Sequence, residues 1–259
     1  MTIHTTTQDF VTTITLEREE VHNAFNGAMI AALTNAFKEA ADDDASRLVI
    51  IKASGKNFCA GGDLNWMKEA ADYTYKENFD DARNLGTMLH TLYTLPKPTM
   101  ALVQGAAYGG GVGLAAACDI TLAATNARFC LSEVKLGLIP AVISPYVIKA
   151  MGERNTSRYS QTAEVFEAEE AHRMGLVSKI IESPEELENA AHPFIENILK
   201  NGPEALAEAK ALVQNVAPLP ISEDLVEKTS RAIAERRATA EAKEGIAAFL
   251  EKRKAGWVK

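Results

Sequence analysis

The chain has 259 residues, 47% of them hydrophobic and 24% charged, which is enough apolar content for a sizeable core and argues against disorder. Its formal net charge of −8 argues against general nucleic-acid binding, which needs basic surface, although local lysines can still meet a polyanionic ligand. Cys59, Cys118 and Cys130 lack metal-ligand spacing and no apolar run reaches membrane-spanning length, so we expect buried thiols in a cytoplasmic protein.

The predicted elements begin with strands and helices in alternation. Alternating apolar and polar residues predict a strand over 9–17, and a helix follows over 27–42. Asp63 can cap a helix that begins at Leu64, and a longer helix over 77–95 ends before two prolines. Short continuous apolar runs predict buried strands at 47–54, 99–105, 119–125 and 127–133. The alternation predicts a layered α/β fold with parallel strand pairing.

The composition changes after Ser178, where Ala, Glu, Lys and Leu become frequent. This pattern predicts three helices, over 184–200, 203–216 and 221–254, separated by glycine and proline residues. We therefore expect an α/β core over residues 1–200 and a helical region over residues 201–259.

Two glycine clusters, Gly61-Gly62 and Gly109-Gly110-Gly111, each follow a predicted strand and open a predicted helix. Glycines there let a backbone approach a ligand, and free N–H groups at a helix start point towards negative charge. The spacing does not fit G-x-G-x-x-G, and neither a P-loop nor G-x-S-x-G occurs in the chain. On these residues alone, tight packing of a central helix remains the alternative interpretation.

Three longer stretches carry a family resemblance: FCAGGDL at 58–64, VQGAAYGGGVGLAAACDITLAA at 103–124 and ARFCLSEVKLGLIP at 127–140. In order and spacing they resemble the crotonase, or enoyl-CoA hydratase/isomerase, superfamily, and the likeness extends over essentially the full chain. It implies a crotonase (ClpP-like) spiral of ββα units over residues 1–200. It also implies that residues 201–259 serve trimerisation, giving a homotrimer or a dimer of trimers. It implies that coenzyme A is part of the substrate and that the reaction uses no metal, flavin or nicotinamide.

The resemblance also implies site residues. The backbone N–H groups of Gly62 and Gly110 would hold the thioester oxygen as it becomes an enolate oxyanion, the kind of preorganised stabilisation that enzymes use for developing charge. A larger set would contact coenzyme A: Lys56, Ala60, Gly62, Asp63, Leu64, Gly110 and Lys252. Lys252 would reach the cofactor handle from a neighbouring subunit. For Lys56 and Lys252 a solvated surface charge is the alternative.

One carboxylate of the family pattern is present and another is missing. Two-carboxylate hydratases of the family have one Glu three positions past the middle glycine and a second 20 residues further on. These positions are Gly113 and Glu133 here. The resemblance therefore implies that Glu133 is the catalytic acid–base group, and burial should raise its pKa. The alternative is a structural carboxylate that is ion-paired with Lys135 or Arg128.

The missing carboxylate leaves the reaction open. Residues 131–152 resemble the methylglutaconyl-CoA hydratases of leucine breakdown, whose relatives also have glycine at the first position. This implies hydration of a branched or carboxylated enoyl-CoA such as 3-methylglutaconyl-CoA. A single carboxylate also suits a Δ3-Δ2 enoyl-CoA isomerase or a glutaconyl-type decarboxylase. A non-catalytic acyl-CoA binder and an RNA-binding role are the alternatives outside enzymology, and the net charge argues against RNA.

Overall fold

The computed structural model describes residues 2–258, and contacts divide them into two compact units. The first unit runs to Leu95 and continues over Thr99–His192, and the second comprises Pro96–Pro98 and the chain from Pro193 on. This division falls inside a helix, whereas the predicted domain boundary after residue 200 lies at that helix's end. None of the helices within residues 2–258 is both long and apolar enough to cross a membrane.

A six-stranded sheet organises the first unit, in the order β1-β2-β3-β4-β6-β9. Its strands are β1 Ile3–Gln8, β2 Val11–Leu16, β3 Leu48–Ala53, β4 Thr99–Val103, β6 Ile120–Ala124 and β9 Lys179–Ile181. Only β1 and β2 pair antiparallel, and all other neighbours are parallel. The predicted α/β class with parallel pairing is therefore confirmed.

A second, three-stranded sheet has the order β5-β7-β8. Its strands are β5 Ala106–Tyr108, β7 Arg128–Cys130 and β8 Phe166–Glu167. The predicted strand over 127–133 is thus real but short, and it lies in this small sheet rather than in the main one. It ends at Cys130 because the chain turns into a short 3-10 helix at Glu133–Leu136.

Helices pack against the sheets and enclose one apolar core in the first unit. Their bounds are α1 Gly27–Asp42, α2 Leu64–Ala70, α3 Tyr75–Tyr93, α4 Gly110–Ala117, α5 Ser144–Met151, α6 Glu153–Thr162 and α7 Ala168–Met174. Helix α1 buries Ile30, Leu33 and Phe37 as its periodicity predicts. Helix α3 begins before its predicted start because Thr74 and Glu77 form a capping box. Helices α5 to α7 were not predicted, since each has only 7 to 10 residues.

The N-terminal strand prediction is wrong in one respect. Residues Asp9 and Phe10 both have positive φ, 48° and 66°, and reverse the chain between β1 and β2. A two-residue hairpin needs this backbone conformation, and an Asp-Phe pair gives little sequence signal for it. Residues 9–17 therefore contain a turn followed by a strand.

The second unit is helical. It contains the end of α8 Leu187–Leu199, then α9 Pro203–Val216, α10 Glu223–Ala238 and α11 Ala240–Leu250. The single helix predicted over 221–254 is wrong, because Thr239 is extended between α10 and α11 and its side chain accepts a hydrogen bond from Ala242 N–H at 3.2 Å. A threonine cap of this kind starts a new helix where the composition alone shows no interruption.

Candidate active site

Backbone hydrogen bonds join the two glycine clusters of the first unit. The loop after β3 pairs with the segment around β5, since Cys59 N–H donates to Ala106 O at 3.0 Å and Tyr108 N–H donates to Cys59 O at 2.9 Å. A Cβ atom on Gly111 would lie 2.4 Å from Cys59 O, so only glycine allows this approach. The clusters at 61–62 and 109–111 are therefore neighbours, as the family resemblance implies.

Phe25 contacts both glycine clusters. Its N–H donates to Gly61 O at 2.7 Å, and its carbonyl accepts from Asp63 N–H at 2.8 Å, which leaves Gly62 between two fixed residues. The buried Phe25 ring also lies under α4, because a Cβ atom on Gly110 would be 2.8 Å from Phe25 Cδ2. Phe25 thus contacts both predicted amide donors, the Gly62 segment through its backbone and Gly110 through its ring.

The amides of Gly62 and Gly110 have no hydrogen-bond partner within residues 2–258. Gly110 is the first residue of α4, and the first N–H groups of a helix have no intrahelical acceptor. The positive end of the helix dipole adds to their attraction for an anion. Both are preceded by glycines of positive φ, Gly61 at 101° and Gly109 at 49°, a conformation that side-chain-bearing residues rarely adopt.

Glu133 lies against the second cluster. Gly109 N–H donates to Cys130 O at 2.8 Å, which brings the end of β7 to the start of α4. A Cβ atom on Gly109 would lie 3.1 Å from Glu133 Oε1. The other carboxylate oxygen, Oε2, is buried and has no hydrogen-bond partner among residues 2–258. Burial raises the pKa of the Glu133 carboxyl, partly opposed by a hydrogen bond from its own backbone N–H. The expected direction of the shift is confirmed.

The alternative role for Glu133, a structural ion pair, is wrong. Arg128 pairs with Glu167 at 3.2 Å, and its guanidinium also donates to backbone carbonyls. Lys135 is exposed to solvent. Over residues 2–258 no salt bridge involves Glu133. A buried carboxylate that no cation compensates is unfavourable for folding, and such groups cluster at functional sites.

The position of the missing second carboxylate is filled with hydrocarbon. A Cβ atom on Gly113 would lie 2.3 Å from Ile143 Cγ2 and 3.6 Å from Leu89 Cδ1. Ile143 and Leu89 are both buried. The space beside Gly113 is therefore closed by the apolar core.

Of the residues predicted to contact coenzyme A, three lie beside Gly62. Ala60 N–H donates to His22 O at 3.1 Å. Leu64 is 71% exposed at the start of α2. Asp63 is buried and has both carboxylate oxygens in use: Oδ1 caps α2 and Oδ2 accepts from Arg18 Nη2 at 2.7 Å. The Arg18 hydrogen bond is the main cause that lowers the Asp63 pKa. The side chain of Asp63 therefore holds the loop.

The two predicted lysines are exposed. Lys56 lies in the loop after β3, where its carbonyl packs so closely on Gly105 that a Cβ atom there would be 2.0 Å away. Lys252 follows α11 in the second unit with a positive φ of 54°. Their contacts with coenzyme A stay predictions.

Sequence reasoning missed the side chains that shape the site. A Cβ atom on Gly62 would lie 3.6 Å from both Trp66 Cζ3 and Met67 Sδ, which places α2 over this amide. The Trp66 indole donates to Asp81 Oδ1 at 3.1 Å, and burial raises the pKa of Asp81. Trp66 and Met67 follow the AGGD stretch directly, but as apolar residues of a helix they resemble ordinary core positions.

The arrangement combines two kinds of chemistry in a single region. Unpaired amides can stabilise a developing oxyanion, and a buried carboxylate of raised pKa can take up and return a proton. Stabilising an oxyanion next to a movable proton is what formation of an enolate requires.

Comparisons with known proteins agree with this geometry. The enoyl-CoA hydratase/isomerase family model matches residues 6–259. An enoyl-CoA hydratase crystal structure from Shewanella pealeana superposes with a TM-score of 0.97 at 41% identity, covering 99% of this chain and 96% of that one. The short-chain-enoyl-CoA hydratase of Clostridium acetobutylicum is 33% identical over 94% of this chain and 92% of its own length. The 2,3-dehydroadipyl-CoA hydratase of Escherichia coli is 32% identical over 95% and 94%.

Proposed function

The chain belongs to the enoyl-CoA hydratase/isomerase family and has the crotonase fold, and from this premise we propose that it hydrates an enoyl-CoA thioester with Glu133 as the only acid–base carboxylate. The observation that carries the proposal is Oε2 of Glu133, which is buried next to the start of α4 and has no partner in the described part of the chain. No structural role explains that atom, whereas proton transfer needs it.

The proposed reaction has two steps. The Glu133 carboxylate takes a proton from water as the water oxygen bonds to the β-carbon, and the electrons of the double bond move through the α-carbon to the thioester oxygen. The amides of Gly62 and Gly110 hold this oxyanion. Glu133 then returns its proton to the α-carbon, and the thioester re-forms as a 3-hydroxyacyl-CoA. Coenzyme A is the handle of the substrate, and no other cofactor takes part.

For the acyl group we propose a branched or carboxylated chain such as that of 3-methylglutaconyl-CoA. The likeness of residues 131–152 to methylglutaconyl-CoA hydratases supports a branched chain. The Escherichia coli relative is named for a dicarboxylic acyl thioester, which supports a carboxylated chain. The two cations considered for a substrate carboxylate, Lys135 and Arg83, are both solvent-exposed.

Isomerisation is the second candidate, and Gly113 favours it. With one carboxylate, Glu133 can lift a proton from the α-carbon of a 3-enoyl thioester and place it on the γ-carbon. No water needs activation in that reaction.

An assay with crotonyl-CoA, 3-methylglutaconyl-CoA and a 3-enoyl-CoA tests the proposal. We expect loss of the conjugated absorbance and a product heavier by one water for the 2-enoyl esters, fastest with 3-methylglutaconyl-CoA. Bond migration of the 3-enoyl ester without a change of mass would establish the isomerase instead. Failure to exchange α-protons with deuterated solvent for any bound thioester would identify a non-catalytic binder.

A further inference from the structure

Helix α2 carries the side chains that lie closest to Gly62 beyond its neighbours in the chain. An added Cβ on Gly62 would be 3.5 Å from Met67 Cγ and 3.6 Å from Trp66 Cζ3. None of the seven residues of α2 is buried, and an isolated helix of this length is not stable in water. The position of α2 over Gly62 therefore depends on its tertiary contacts.

Hydrogen bonds tie α2 to the rest of the first unit at its start and in its middle. At the start, Asp63 Oδ1 accepts from Asn65 N–H at 2.8 Å. In the middle, Trp66 Nε1 donates to Asp81 Oδ1 on α3 at 3.1 Å. Trp66 is half-buried and packs against the apolar core, which leaves part of its ring open to a ligand. The Trp66–Asp81 hydrogen bond thus joins α2 to α3.

Asp81 lies where the pattern of α3 predicts an apolar side chain. It precedes Leu85, Met88 and Leu92 at the spacing of one helical face, and Met88 and Leu92 are buried. The carboxylate is partly withdrawn from water, which raises its pKa. Over residues 2–258, the Trp66 indole is the only side chain that donates a hydrogen bond to Asp81. A local departure from the apolar pattern of this kind is expected at functional sites.

The hydrogen bond determines which edge of the indole meets Gly62. Because Nε1 is held at α3, the six-membered ring with Cζ3 is turned towards Gly62. A hydrogen bond to an ionised carboxylate is stronger than one between neutral groups, so it can hold the ring in this orientation. An aromatic ring beside an amide donor excludes water, and the attraction between the amide and a developing negative charge is stronger in a drier site.

We propose that Asp81 is a positioning residue that acts through Trp66: it holds the indole against Gly62, where the ring forms the surface on which the thioester group of the substrate lies. The inference rests on the proposed function for the reaction that follows binding. The contact between Trp66 and a bound thioester can be measured without turnover.

The fluorescence of Trp66 tests this contact. The chain has two tryptophans, so Trp257→Phe in the second unit leaves Trp66 as the only one. Butyryl-CoA is the probe, because a saturated thioester has no double bond to hydrate. We expect it to change the emission of Trp66 saturably, and coenzyme A alone, which lacks the thioester, to have a smaller effect. An equal effect of both, or binding of butyryl-CoA in calorimetry without a change in emission, would overturn the inference.

Substitutions of Asp81 test the positioning role. Asp81→Leu suits the apolar face of α3 and should fold, but it removes the acceptor of the indole. We expect kcat/KM for crotonyl-CoA to fall at least about tenfold, since a small displacement next to the reacting group is costly. The response of Trp66 to butyryl-CoA should weaken in the same variant. Asp81→Asn retains an acceptor oxygen and should recover most of both losses.

Asp80 supplies a matched control on the same helix. It pairs with Lys76 at 2.6 Å, and its side chain is 49% exposed. Asp80→Leu removes the same charge from α3, and its kcat/KM and Trp66 response should equal those of the parent. Equal losses in Asp80→Leu and Asp81→Leu, or no loss in Asp81→Leu, would overturn the inference. Absence of hydration by the parent would remove the proposed function and leave the fluorescence test intact.

Discussion

At the scale of single residues, Glu133 lowers the stability of the fold, whereas Gly62 offers a free backbone N–H to a ligand. Glu133 is unfavourable for folding, because Oε2 of its half-buried carboxylate is inaccessible to solvent and finds neither a cation nor a donor in residues 2–258. Gly62 is favourable for a ligand, because its N–H is unpaired and its environment of Trp66 and Met67 leaves ordinary contact distances. We expect that substitutions of Glu133 and Gly62 can be made with little change in the rest of the structure.

Glu133→Gln should lower kcat by about 10²- to 10⁴-fold, since it removes the general acid–base. The raised pKa of Glu133 means that its ionised form opposes folding, so the effect on stability depends on pH. We expect the variant to melt at a higher temperature than the parent near pH 8, and the difference to vanish below about pH 4, where the unfolded carboxyl is also protonated. In the parent, activity should fall as the pH drops through the folded pKa.

Replacing Gly62 by Pro and by Ala separates the amide from the side chain. An Ala Cβ at this position meets Met67 Cγ at 3.5 Å and Met67 Sδ and Trp66 Cζ3 at 3.6 Å, so the alanine variant should fold and turn over nearly as the parent. The proline variant lacks the N–H, and we expect its kcat to fall by about 10²- to 10³-fold. Equal kcat in the two variants would exclude this amide from the mechanism. Gly110 is less suitable, because any Cβ there collides with Phe25.

At the scale of elements, the start of α2 depends on one ion pair, between buried Asp63 and half-buried Arg18. Asp63 Oδ1 accepts from Asn65 N–H at 2.8 Å, and Oδ2 accepts from Arg18 Nη2 at 2.7 Å. Arg18 also binds Ala24 O, next to Phe25, so the same pair connects α2 to the residue beneath both glycine clusters. The orientation of the Gly62 amide follows from these contacts.

Asp63→Ala should lower the free energy of unfolding by about 2–4 kcal/mol, since it removes the helix cap and leaves the half-buried Arg18 without its carboxylate partner. Asp63→Ser retains a capping oxygen, so it should recover only that part of the lost unfolding free energy that is due to the helix cap. The lowered pKa of Asp63 means that the contribution of the pair is present above the unfolded pKa of about 3.9 and lost as the pH falls through the folded pKa. Urea unfolding of the three proteins at two pH values measures both effects.

At the scale of the whole molecule, the second unit presents many apolar side chains to solvent. Val226 and Ile233, seven residues apart on one face of α10, are 58% and 49% exposed, and Phe249 on α11 is 82% exposed. Arg236 holds α9, α10 and α11 together through Glu204, Glu208 and Glu241. An ordered helical surface with this much exposed apolar area is typical of a protein interface.

We therefore propose that residues 201–259 mediate assembly, with a solution mass of three or six times 28.0 kDa. The V226E/I233E variant should shift to a lower mass in light scattering, because it places two charges on the apolar face of α10. Arg231→Glu changes the net charge equally, but Arg231 lies on a solvated face paired with Glu227. Its mass should stay unchanged. A parent protein that is monomeric at micromolar concentration would contradict the proposal.

The sequence by itself determined the α/β class, the bounds of α1 and α9, the start of α2 and the identity of the two glycine clusters, because apolar periodicity, caps and glycine runs are local signals. Only the tertiary structure decided that β7 belongs to a second sheet, that Arg128 pairs with Glu167 rather than with Glu133, and that Asp63 binds Arg18. It also decided that Phe25 lies beneath both clusters and that Ile143 fills the space beside Gly113. These are contacts between residues far apart in the chain, and no local pattern encodes which distant side chain will fill a given space.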